Sequence, residues 1–412
     1  MRTPTPKQLI ILVCIAEIFS MLGTVTFPAL LPEFIETWQL TNTDAGWLNG
    51  IYYGGYLLAV PLLVTMTDHW APRKVYFFSL LLTALSSFGF AYGVDGFWSA
   101  MIFRAIGGIG LAGSYMPGLK LLTDHLDHLN PKSDNSRAVA FYTSSFSIGL
   151  ALSYFSAGEI ATRWDWQTAF LVAIIGPLIS IAIAQVFLPA KDPRPHKAPT
   201  THPLDFRPVL KHKPAMAYVL AYTVHNFELF AYRSWLVAFL AYSASTQPGQ
   251  NLLFSATAWA AISNIFALPA SVLGNELSRR IGRHKAITII MWVSAVFACL
   301  IGFAAELPFI FVAILLVIYG IAITGESSSI TAGVVGAAPA GYRGTTMAVH
   351  SCIGFMGSFA GPLIFGLTLD LSSPSGVGGT TTQSWGIAFA MTGAVVALGP
   401  LFIKFLGKSQ RE

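Results

Sequence analysis

The stretch Pro189-Ala-Lys-Asp-Pro-Arg-Pro-His-Lys-Ala-Pro-Thr-Thr-His-Pro-Leu-Asp-Phe-Arg-Pro-Val-Leu-Lys-His-Lys-Pro214 is the one long polar interruption in a chain otherwise made of apolar runs. It carries Lys191, Arg194, Lys197, Arg207, Lys211 and Lys213 against Asp192 and Asp205. Its prolines at 189, 193, 195, 199, 203, 208 and 214 break any helix through it. It reads as a cytoplasmic linker with a similar half-protein on either side. Of the 412 residues, 54% are hydrophobic and 10% charged, where a soluble domain carries about 25% charged residues. The flanks are therefore read as membrane segments.

A span needs about 20 mostly apolar residues. Twelve segments qualify, at 9–31, 45–66, 75–93, 97–122, 138–158, 167–188, 215–242, 255–276, 286–304, 308–333, 345–369 and 385–406. The runs are continuous rather than alternating, which predicts helices and not a barrel. The first run is too long for a signal-peptide core and lacks a small-residue cleavage site, so it is expected to stay as the first helix. The expectation is an all-α membrane protein of twelve transmembrane helices in two six-helix bundles, 1–188 and 215–412, joined by the linker 189–214.

Lys and Arg set the orientation. With both termini in the cytoplasm, the inner segments hold Arg2, Lys7, Arg73, Lys74, Lys120, Lys132, Arg137, the linker cations, Arg279, Arg280, Arg283, Lys285, Arg343, Lys404, Lys408 and Arg411, and the outer face holds only Arg163. This predicts a multi-pass protein of bacterial inner-membrane type. The net charge of +5 is spread over short loops without interleaved aromatics, which argues against a nucleic-acid partner. Cys14, Cys299 and Cys352 lie far apart inside apolar runs and suggest core packing rather than disulfides or a metal site. His125 and His128 are read as solvated residues of a cytoplasmic loop. No zinc-spaced histidines, nucleophile elbow or phosphate loop is present, so neither an enzyme nor a cofactor is expected.

The halves repeat. A shift of about 211 lays Trp259 on Trp47, Lys285 on Lys74, Gly320 on Gly108 and Gly325 on Gly113, and a shift of 206 lays Arg343 on Arg137. A parallel six-plus-six repeat places a ligand near the midplane, in the crevice between the halves. With Thr67-Asp68-His69-Trp70-Ala71-Pro72-Arg73-Lys74 after the second span, and Arg279-Arg280-Ile281-Gly282-Arg283-His284-Lys285 after the eighth, the chain resembles the major facilitator superfamily of secondary transporters. The first loop keeps Asp68, Pro72, Arg73 and Lys74 of that family's acidic-basic signature but has Val64 in place of its glycine. The second keeps Arg280, Gly282 and Arg283 but has Arg279 in place of the acid. The resemblance implies that these loops clamp the outward-open state from the cytoplasmic side. Otherwise they are topogenic only.

An ionisable side chain inside a span costs about 2.5–3.5 kcal/mol on insertion scales, which makes it a functional candidate. The candidates are Glu17, Arg104, His225, Glu228, Arg233, Glu326 and His350. Arg104 opens Arg104-Ala-Ile-Gly-Gly-Ile-Gly110, which resembles the family's fourth-helix motif, tied there to proton coupling or substrate charge. A structural, snorkelling arginine is the alternative. Gly108, Gly110 and Gly113 allow close helix approach. In the seventh span, spacings of three and seven residues put His225, Glu228 and Tyr232 on one face near the midplane, with Arg233 pointing elsewhere. They form either a titratable pair or a buried polar network. Glu17, at similar depth in the first span, is a coupling acid or the counter-charge of Arg104 or Arg233. Glu326 and His350 are expected to meet in a cytoplasmic-side gate or proton exit.

The fifth span has Ser153-Tyr154 where family drug antiporters carry a glycine-proline kink, which weakens drug antiport. The second and eighth spans lack the arginines with which family nitrate carriers hold their anion. Asn49, Tyr52, Tyr53, Tyr56, Tyr142 and Asn264 are candidate cavity-lining residues, with helix packing as the plainer alternative for the tyrosines. Together these readings predict a monomeric secondary transporter for a small organic anion, coupled to protons through Glu17, Glu228 and Glu326. Proton-driven efflux of a hydrophobic or cationic compound is the alternative, and a non-transporting membrane sensor the remote one.

Overall fold

A computed structural model describes residues 4–129, 135–188, 206–247, 253–374 and 378–407, except the side chains of Val64, Thr65, Asp68, His69 and Ser136. Most of the linker thus lies outside the described residues. Among those described there are only helices: α1 (Pro6–Ser20), α2 (Thr26–Ala29), α3 (Leu31–Thr37), α4 (Asn42–His69), α5 (Pro72–Gly93), α6 (Phe97–Leu129), α7 (Ser136–Arg163), α8 (Trp166–Ala173), α9 (Ile175–Phe187), α10 (Arg207–Leu210), α11 (Lys213–Ser245), α12 (Ala256–Ile281), α13 (Arg283–Ile301), α14 (Phe309–Gly325), α15 (Ser327–Gly336), α16 (Arg343–Ser372), α17 (Thr382–Val396) and α18 (Leu398–Leu406). Helix is what apolar runs must adopt in hydrocarbon, because it satisfies the backbone within each segment. Polar residues mark the starts: Thr5 and Gln8 form a capping box for α1, and Asp165, Ser255 and Thr381 cap α8, α12 and α17.

Nine helical stretches among the described residues are long and apolar enough to span a membrane. The remaining three expected spans fall on α1–α3, α4 and α11 and carry much of the buried polar inventory, including Glu17, Asn49, His225, Glu228 and Arg233. The arrangement is consistent with twelve spans.

The chain divides into two compact units, one of Met1–Leu30 with Gly55–Ala198 and one of Leu31–Gly54 with Pro199–Glu412. In the first, α5 and α6 pack closely: a Cβ on Gly110 would strike Thr83 and one on Gly113 would strike Ser79. Leu9, Val13, Tyr76, Leu80, Leu122, Tyr142 and Ala184 form part of a continuous core. In the second, α11 is buried along nearly its whole length. Gly357 and Gly361 of α16 rest on the Thr223 and Phe227 carbonyls, where a side chain would collide with backbone.

Four of the expected spans are interrupted among the described residues, the sixth at Ile174 and the twelfth at Ala397 by one residue each, and the first and tenth beside buried carboxyls. The first unwinds between Ser20 and Thr26, where Gly23 adopts φ +124°, a conformation suited to glycine. The Ser153 hydroxyl accepts hydrogen bonds from the backbone N–H groups of Gly23 (3.1 Å) and Val25 (3.3 Å), satisfying donors the break would otherwise orphan. The tenth span breaks at Glu326, between α14 and α15. There a seam of small residues joins α12 to α15: Ser271 meets Ser328, Ser329 donates to Gly274 O (3.3 Å), and a Cβ on Gly274 would collide with the Gly325 carbonyl.

Three expectations are corrected. His125 lies within α6, buried, with Nδ1 2.8 Å from Leu121 O, because the fourth-span helix runs on to Leu129. Cys299 is exposed on α13 rather than packed in a core. The linker's end forms α10, because Pro208 sits at the helix start, where a missing N–H costs nothing.

Candidate functional site

In the second unit, α11 presents its polar residues to three neighbouring helices. His225 Nδ1 is 3.0 Å from Glu326 Oε1, and both residues are fully buried. One turn on, Glu228 Oε1 accepts from Ser294 of α13 (2.6 Å) and Tyr319 of α14 (2.9 Å). A further turn along, Tyr232 pairs with Ser263 of α12 (2.7 Å) and donates to Leu316 O (2.8 Å). The missing side chain of Gly320 makes room for these two hydroxyls. The shared face of His225, Glu228 and Tyr232 is thus a ladder of hydrogen bonds to α12, α13 and the α14–α15 break. Arg233 projects differently, its guanidinium 5.6 Å from the Phe230 ring centre.

Glu326 does not pair with His350. The Tyr222 ring lies 3.9 Å from His350 and 5.8 Å from His225, and Gly354 leaves the space that ring fills. His225, one turn along α11 from Tyr222, takes the carboxyl instead. His350 Nδ1, His225 Nε2, Glu228 Oε2 and Glu326 Oε2 are buried without a hydrogen-bond partner among the described residues. So many orphaned polar atoms in one place are unusual.

In the first unit, Glu17 is fully buried just before the break in the first span. Its Oε2 accepts from Tyr142 (2.8 Å) and Ser20 (3.2 Å), while Oε1 has no partner among the described residues. Its partners are hydroxyls, so the expected ion pair with Arg104 is not formed. Arg104 is buried over Phe27, 5.0 Å from the ring centre. Tyr142 bonds to Glu17 and to Tyr115 O (2.8 Å), which makes it an acid-binding hydroxyl.

Of the other residues singled out as cavity-lining, Asn49 and Asn264 turn their amide nitrogens back onto Ala45 O (3.1 Å) and Ala260 O (2.9 Å). Tyr52, Tyr53 and Tyr56 are buried, Tyr53 4.3 Å from the Phe230 ring. Among the gating residues, the side chain of Asp68 lies outside the described set. Arg73 reaches the last carbonyls of α9, Gln185 O (3.3 Å) and Leu188 O (3.4 Å), a favourable site for a cation at a helix C-terminus. Lys74 follows it in the first turn of α5. Arg280 pairs with Glu276 (3.4 Å), the nearby acid that sequence inspection at position 279 did not supply. Arg283 begins α13 directly after Gly282, whose φ of +91° suits glycine.

Ser294, Tyr319 and Ser20 were missed as carboxyl partners. A hydroxyl in an apolar run gives no signal until the helix rotation is known.

Long apolar helices, with buried carboxyls beside interruptions in two of the spans, define a multi-pass membrane protein. The chain belongs to the Major Facilitator Superfamily, whose family profile matches residues 13–362. It is 22% identical over 154 residues to the niacin transporter NiaP of Acinetobacter baylyi, covering 37% of this chain and 34% of that one. It is 23% identical over 146 residues to the "Probable sphingolipid transporter spinster homolog 1" of Arabidopsis thaliana, covering 35% and 29%. The matched stretches thus span about a third of these relatives' lengths. Among solved structures, the nucleoside transporter NupG superposes with a TM-score of 0.74 at 16% identity, covering 96% of this chain and 99% of that one. At that identity the likeness concerns the fold alone.

Proposed function

We propose that this transporter moves a small organic anion by proton-coupled alternating access, as a monomer in a bacterial-type inner membrane with both termini cytoplasmic. The observation that carries the reading is that Glu17, Glu228 and Glu326 are each buried in or beside a span with one carboxyl oxygen lacking a partner among the described residues. An ionised carboxylate so placed is costly, and binding a proton relieves that cost. In this reading His225 and Glu326 exchange the coupled proton, Glu228 is the neighbouring acceptor, and Glu17 is its counterpart in the first half. Arg104 and Arg233 supply the fixed donors that replace water around a carboxylate cargo. A relative that carries niacin, a small aromatic acid, supports that cargo class.

A second reading, proton-driven efflux of an amphipathic or cationic solute, draws on the aromatic contact of Tyr53 with Phe230 and on the sphingolipid relative. Thermal shift separates the two, because a ligand that binds only the folded state stabilises it. Nicotinate and benzoate raise the melting temperature in the first reading, with the shift lost in Arg104→Ala. In the second, only lipophilic cations do so, with the effect lost in Glu17→Gln or Glu228→Gln.

A further inference from the structure

At Tyr242, about 15 Å along α11 from Tyr232, the second unit holds a cavity of ≈ 230 Å³ that no residue of the carboxyl ladder lines. Sites for drug-sized ligands run to roughly 300–1,000 Å³, so this one suits a compact molecule. Three rings line it: Trp235 and Tyr242 of α11 and Trp385 of α17. The Trp385 ring centre is 6.0 Å from that of Trp235, with the planes at 73°, and 5.9 Å from that of Tyr242, with the planes at 35°. Pro32 and Ile35 of α3 add aliphatic surface, and the small side chain of Ala241 leaves room beside the rings.

Negative charge reaches the cavity from behind its walls. Asp370 Oδ1 accepts from Asn42 Nδ2 (2.8 Å) and Gly378 N (3.0 Å), and both of those residues line the cavity. The Thr382 hydroxyl donates to Glu306 Oε1 (2.8 Å). With its proton so committed, Thr382 Oγ1 accepts from the Tyr242 hydroxyl (3.1 Å). Two carboxylates thus stand one or two hydrogen bonds outside an aromatic enclosure, where a low dielectric carries their field inward. Among the described residues no Lys or Arg lines the cavity, and Arg233, two residues before Trp235, lies over Phe230 instead.

We propose that this cavity is a binding site for a small quaternary ammonium compound, apart from the carboxyls Glu17, Glu228 and Glu326. Ring faces attract a cation that cannot donate a hydrogen bond, and its methyl groups fill the space between them. A carboxylate placed there would meet like charge from Asp370 and Glu306. Trp385 Nε1 has no partner among the described residues, which leaves a neutral donor for an oxygen carried near the ammonium. The site stands on its own geometry and does not depend on the cargo proposed above.

The test is calorimetric titration of the purified full-length protein with choline and with dimethylbutanol, its uncharged carbon isostere. Choline binds, and the isostere binds about tenfold more weakly or not at all. Ala241→Leu fills the cavity and abolishes choline binding. Tyr242→Leu, which removes one ring, weakens it and serves if the first variant does not fold. Glu228→Gln leaves choline affinity unchanged, which separates this site from the efflux reading, where lipophilic cations depend on Glu228. The proposal is overturned by an absence of choline binding, by equal binding of the isostere, by binding that survives Ala241→Leu, or by binding lost in Glu228→Gln.

Discussion

His225 and Glu326 meet at 3.0 Å, fully buried, at the point where the tenth span breaks. A helix break frees backbone groups that a protein keeps in hydrocarbon only where they are covered by neighbours or face a cavity. Placing a carboxyl in the break itself, with an imidazole from α11 against it, concentrates the ionisable chemistry of the second unit on a joint rather than on a rigid rod.

Glu326→Gln keeps the size of the side chain and removes its exchangeable charge. Accumulation of nicotinate driven by a pH gradient is expected to fall about tenfold or more, as suits the loss of a charged hydrogen-bonded pair. Exchange of labelled for unlabelled solute without a gradient continues. Equal loss of both activities would assign the pair a structural role.

Arg104→Lys keeps the charge at this buried site but loses the planar fork that matches a carboxylate. Binding of small carboxylates is expected to weaken about tenfold, read by calorimetry, with the ligand-free melting temperature little changed. Unchanged affinity would remove Arg104 from the cargo site.

The spans were legible because long apolar runs admit few other structures, and the one-face arrangement of His225, Glu228 and Tyr232 followed from helical spacing alone. The identity of their partners did not. Depth along a helix can be counted at about 1.5 Å per residue, but rotation about its axis cannot. The expected Glu326–His350 contact therefore failed in favour of His225, with the Tyr222 ring tilted against His350 at 3.9 Å.

Ser153→Ala deprives Gly23 and Val25 of the acceptor that covers the break in the first span. Leaving buried donors unsatisfied costs about 1–3 kcal/mol, so the thermal midpoint drops measurably while cargo preference is unchanged. A variant of unaltered stability would mean that these N–H groups find other partners.

Gly274→Ala places a methyl against the Gly325 carbonyl beside Glu326. Overpacking of this kind costs about 1–3 kcal/mol. The variant is expected to express poorly or, where folded, to transport slowly, because the α12–α15 seam cannot close. Normal expression with normal flux would show that the break tolerates displacement.

The most direct test of proton coupling is simultaneous recording of nicotinate and proton entry into proteoliposomes, the proton by a trapped pH dye. The account predicts that adding solute outside draws protons inward in step with it, and that Glu228→Gln and Glu326→Gln abolish the proton signal. Solute entry with no proton movement in the wild-type protein would contradict it.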